Sequence, residues 1–153
     1  MWTNEKLAHE LRSLYNGKPW LDVAFEASFK TVSAEDAASH PIKNGNSIWT
    51  IVNHLVFWHR AVAGRLQKPG KIFVPEGKDF APITDFSEAA WQKTKENLQT
   101  SLEEMAEAIL NFDEKKWDQT CPDKPTTFYE NAAGIIEHDA YHLGQIVLLK
   151  KAF

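Results

Sequence analysis

The chain has 153 residues, 43% hydrophobic and 25% charged, so it can bury one core, and disorder is excluded as its main state. Lys and Arg number 17 against 21 Asp and Glu, a net charge of −4 with no basic face, which excludes a nucleic-acid partner. A single cysteine, Cys121, excludes an intrachain disulfide and a thiolate-rich zinc site, and no apolar run is long enough to span a bilayer. The opening Met1-Trp2-Thr3-Asn4-Glu5-Lys6 has no charged-then-apolar leader layout. The expectation is one cytoplasmic domain over residues 1–153, without a membrane partner.

Helical periodicity dominates the chain. Leu7, Leu11 and Leu14 share one face of a helix over residues 3–15, which Asn16-Gly17 ends. Residues 20–31 read as a shorter helical piece, and Ser33 then caps a brief turn that Pro41 stops. A longer helix spans residues 47–66, between Asn44-Gly45-Asn46 and Pro69-Gly70. Residues 67–84 carry three prolines and two glycines and cannot be a helix; Lys71-Ile72-Phe73-Val74 within them is the only β-like stretch. Asp85 with Glu88 reads as the capping start of a helix whose stripe is Trp91, Leu98, Leu102, Met105, Ile109 and Phe112. Thr127 and Glu130 form a capping box for a last helix that runs toward the C-terminus. Four long helices with long connections predict an all-α, four-helix bundle.

The last helix carries polar groups where apolar ones are expected. Around its axis His138 and Gln145 fall within about 60° of His142, among Ile135, Ile146 and Leu149. A buried polar group needs a partner. His138 and His142 stand four residues apart, so both rings can reach one metal ion; they can equally be bonded to backbone or to each other. Two ligands do not complete a site, so a third must come from another helix. His9 faces away from its leucine stripe, and His40 precedes Pro41 in a loop. On the 47–66 helix, His54 and His59 flank the stripe of Ile51, Leu55, Trp58 and Val62 by about 70° on opposite sides, and periodicity does not choose between them.

Two segments carry more information together than apart. They are Ser47-Ile48-Trp49-Thr50-Ile51-Val52-Asn53-His54-Leu55-Val56-Phe57-Trp58 and His138-Asp139-Ala140-Tyr141-His142-Leu143-Gly144-Gln145-Ile146. Through them the chain resembles, end to end, the DinB/YfiT-like superfamily of metal-binding four-helix bundles. Its pattern has a His with a nearby Trp on the second long helix, then two His four apart closed by Gly-Gln-Ile. The resemblance implies long crossover connections in up-down-down-up order. It implies a divalent ion, zinc or nickel, on His54, His138 and His142, and so selects His54 over His59. It also implies a homodimer.

Three neutral imidazoles leave a divalent ion an open position, the layout of catalytic rather than closed structural sites. The resemblance points first to a metal-dependent thiol S-transferase acting on a small-molecule substrate with a low-molecular-weight thiol, and second to a hydrolase that activates water. A non-catalytic metal- or small-ligand-binding stress-response protein is the competing reading, and an empty structural bundle a third. An ion facing an open pocket favours the enzyme; a closed, dry site favours binding alone. Gln145 and Trp58 are candidate pocket residues, Gln145 to orient a ligand and Trp58 as a wall. Asp139 and Tyr141 flank the histidine pair as candidate outer partners, although Asp139 reads as a solvated helix residue outside the ligand set.

Overall fold

A computed structural model describes residues 3–68, 70 and 79–153. It contains helices α1 (Thr3–Asn16), α2 (Phe25–Phe29), α3 (Ala34–Ala38), α4 (Ile48–Gln67), α5 (Glu88–Leu110) and α6 (Phe128–Leu149). Among the described residues there is no strand, only an isolated bridge between Thr120 and Thr127. The Lys71–Val74 stretch lies outside the described residues.

Capping side chains set the helix starts. Ser33 and Thr127 form capping boxes with Asp36 and Glu130, and Ser47 accepts from Thr50 N–H. Two expectations are corrected. The cap of α5 is Ser87, not Asp85; Ser87 accepts from Ala90 N–H, while Asp85 accepts from Ser87 N–H one step earlier. Glu88 closes no box there, because its carboxylate accepts from Ala34 N–H at 2.7 Å, at the start of α3. The helical piece expected over residues 20–31 shrinks to α2, since Asp22 takes a left-handed φ of 57° and interrupts any helix through it.

Cross-helix contacts give the topology. Asn4 meets Leu110 and Phe112, and Arg12 meets Glu103, so α1 and α5 run antiparallel. Trp49 bonds Thr94 and Arg60 bonds Glu104, so α5 runs parallel to α4. His54 meets His138, and Arg65 meets Asp123 just before α6, so α4 and α6 are antiparallel. α1 also packs on α6 and α4 on α5, closing a four-helix ring in up-down-down-up order. Trp91, Leu98, Met105 and Ile109 of α5 fill its centre with Leu11, Leu55, Leu143 and Ile146, all fully buried. No helix among the described residues is long and apolar enough to cross a membrane.

Candidate metal centre

The antiparallel α4–α6 seam brings three histidines together. His54, His138 and His142 each offer a ring nitrogen within 4.8 Å of the others, a cluster that can hold a metal ion. His54 arrives from α4, while the i, i+4 spacing on α6 brings the other two rings together edge to face, their centroids 4.5 Å apart and their planes at 80°. Phe80 stacks on the His54 ring at 4.0 Å, and Trp58 meets its edge at 6.3 Å.

Proton counting tests whether these rings suit a cation. Burial, then the neighbouring His142 and His138, push the His54 pKa down to about 4. Burial likewise lowers that of His142. His142 Nδ1–H donates to Gln145 Oε1 at 2.7 Å, which leaves its lone pair on Nε2. The Nε2 atoms of His54 and His138 face each other at 3.0 Å. One hydrogen between two neutral rings makes that contact, but the ring supplying it has a bare Nδ1. Each Nδ1 looks toward a carboxylate, His54 to Asp79 at 3.4 Å and His138 to Asp139 at 3.7 Å. A neutral pair therefore always leaves one carboxylate facing a lone pair. His54 Nδ1, His138 Nδ1 and Asp139 Oδ1 are indeed all buried with no hydrogen-bond partner among the described residues. A cation accepting both Nε2 lone pairs removes the conflict, since both rings then carry Nδ1–H toward their acids. Tetrahedral zinc ligands stand about 3.4 Å apart, so the facing nitrogens need open by only about 0.4 Å. The residues fit a divalent ion.

Behind His138 lies a polar chain that sequence reasoning missed. Asp139 is fully buried, not solvated. Its Oδ2 meets His59 Nε2 at 2.8 Å. His59 Nδ1 meets Ser101 Oγ at 3.0 Å, and that hydroxyl also reaches the Leu98 carbonyl at 3.1 Å. Burial would raise the Asp139 pKa, but His59 and then His138 outweigh it and hold it below its ordinary value. The readable signal was Ser101, a polar residue inside the apolar stripe of α5.

The other candidates sort plainly. Gln145 accepts from His142 Nδ1–H. Trp58 lines a cavity of about 720 Å³ that opens beside His54 and His138 and continues past Val62, Ile135 and Lys124. Tyr141 is 64% exposed and meets only the edge of the His142 ring, so it is no outer partner. His9 and His40 are exposed, as expected.

No curated protein and no solved structure matches the chain. The family model described as the DinB superfamily matches residues 23–146, a span that includes all three clustered histidines and most of the bundle. The chain belongs to the DinB superfamily.

Proposed function

We propose that the protein is a metal-dependent enzyme whose ion, zinc or nickel, is held by His54, His138 and His142 and acts on a small thiol. The observation that carries this reading is the open cavity of about 720 Å³ with His54 and His138 in its wall. A site built only for storage has no use for such access. When bound, a divalent ion acidifies a small thiol or water at neutral pH. The protein's own residues do the rest. The three rings supply neutral donors, since burial keeps His54 and His142 unprotonated. Gln145 and the carboxylates of Asp79 and Asp139 face the outer ring nitrogens. Trp58, Val62 and Ile135 give the cavity an apolar wall on which a substrate's apolar part can lie.

Cobalt-substituted protein tests the proposal. Adding a low-molecular-weight thiol produces a thiolate-to-cobalt charge-transfer band that His142→Ala abolishes. A spectrum unmoved by every thiol but shifted by hydrolysable esters or amides transfers the reading to a hydrolase. The homodimer belongs to the same proposal; exposed Trp20, Tyr141 and Leu148 offer apolar surface for it, and light scattering decides it.

A further inference from the structure

We infer that Asp139 is the positioning residue of His138, and that His59 and Ser101 are there to hold it. The inference rests on the metal reading above and concerns how that site is kept in shape. Asp139, His59 and Ser101 are all 0% exposed. Ionisable groups in a bundle core are costly, and apolar residues of similar volume pack there at least as well. Packing therefore does not account for them.

The geometry points instead to His138. One Asp139 oxygen is taken by His59 at 2.8 Å. The other, Oδ1, has no hydrogen-bond partner among the described residues and lies 3.7 Å from His138 Nδ1, which also has none among them. A buried acceptor and a buried donor thus face each other, and closing the gap by about 0.8 Å makes an ordinary N–H···O bond. That bond places the proton on Nδ1 and leaves the Nε2 lone pair toward His54, where an ion binds.

Asp139 differs from the acceptors of the other two rings. Gln145 is neutral and sits on the same helix as His142. Asp79 is partly exposed, in the loop before α5. Asp139 alone among them is tied to two further helices, through His59 on α4 and Ser101 on α5. It is therefore the acceptor with the least freedom to move, and it links the packing of three helices to one ligand ring.

Two substitutions separate charge from orientation. In Asp139→Asn the amide N–H can donate to a neutral His59 and the carbonyl oxygen can accept from His138, so geometry survives and charge is lost. In Asp139→Leu both are lost. Zinc affinity, measured by competition with a chromophoric chelator, falls up to about tenfold in Asp139→Asn and toward 100-fold in Asp139→Leu. The d–d bands of the cobalt protein shift in the same order. Nitrogen-15 NMR of the metal-free wild type finds His138 with its proton on Nδ1. Variants that melt lower yet bind zinc with wild-type affinity make the chain merely structural and overturn the inference. Should Asp139→Leu not fold, unchanged affinity and an unchanged cobalt spectrum in Asp139→Asn overturn it equally. A wild type that binds no ion fails the metal reading instead, and the His138 tautomer still decides this one: a proton on Nε2 refutes it.

Discussion

The α1–α5 seam and the α4–α6 seam belong to one bundle and are built to different ends. Where α1 meets the end of α5, the buried Asn4 amide donates to the carbonyls of Leu110 and Phe112 and accepts from Trp117 Nε1–H at 2.7 Å. Every polar atom of that side chain is used. Among the described residues the orphaned atoms lie elsewhere: His54 Nδ1, Arg65 Nη1, Asp123 Oδ1, His138 Nδ1 and Asp139 Oδ1. All five sit on α4, on α6 or just before α6, and three of these residues, His54, Arg65 and His138, line the cavity. Buried polar groups without partners are rare, and their confinement to one seam marks it as the side that awaits something. The first seam is finished by folding alone.

The sharpest test of that contrast is the Arg65–Asp123 pair, both side chains buried and joined at 2.8 Å. Arg65→Met strands a buried carboxylate and destabilises by about 3–5 kcal/mol, while Arg65→Met with Asp123→Leu returns to within about 1 kcal/mol of wild type. Urea melts measure both. A double variant as weak as the single one means the pair stabilises the fold outright, and the seam is then less provisional than argued. Next comes the ion. At 100 to 1,000 times its dissociation constant it adds about 3–4 kcal/mol by binding the native state only. A chelator lowers the melting temperature accordingly and leaves the helical circular dichroism signal, since the core at α5 does not depend on the site. Occupancy vanishes in His54→Ala; retention there with loss in His59→Ala means that the ligand from α4 is His59.

On the finished seam, Asn4→Ala leaves Trp117 N–H and two carbonyls unanswered and costs about 1–3 kcal/mol, with zinc affinity unchanged. A change in affinity would show the two seams to be coupled. A smaller, pH-dependent effect belongs to the other side. His54 titrates at about 4 when folded against 6.5 otherwise. As pH falls the unfolded ring takes its proton first, so the contribution is complete above about pH 6.5 and is lost toward pH 4. His142 moves in the same direction. Proton competition for the ion at His54 accordingly sets in well below the 6.5 of an ordinary imidazole. Melts of metal-free protein across that range check the sign.

Local rules carried most of the fold. Leucine and aromatic stripes, Ser47 and the Thr127–Glu130 box mark the four long helices to within a residue or two, and Ser33 marks the short α3, because caps and periodicity are short-range properties. Two failures are local, the α5 cap at Ser87 and the left-handed Asp22, and the others are long-range. By its spacing from Asp85, Glu88 serves its own helix, yet in the structure it serves Ala34 N–H in a different one. Asp139 reads as solvated in the sequence because its neighbours there say nothing of His59, 80 residues away. Likewise the choice between His54 and His59 needed the partner helix, since both flank the same stripe and both are buried. His54 meets α6 at its histidines, whereas His59 turns between α5 and α6 to hold a carboxylate.

The smallest expected effect pairs one arginine against the other. Arg12 on α1 donates from Nε to Glu103 at 2.9 Å and from its terminal nitrogen to Glu103 and to Glu107. These contacts outnumber those of Arg65, but the Arg12 side chain is 37% exposed and its partners about half exposed. Water already solvates each group, so pairing removes little, and salt screens what remains. Arg12→Ala therefore costs less than about 1 kcal/mol, and that cost shrinks further in about 1 M salt. The Arg65→Met penalty, which arises from a stranded charge in the interior, stays the same in that salt. Equal salt dependence of the two variants would mean that water reaches Arg65 as freely as Arg12, and the unsatisfied seam would then be merely wet.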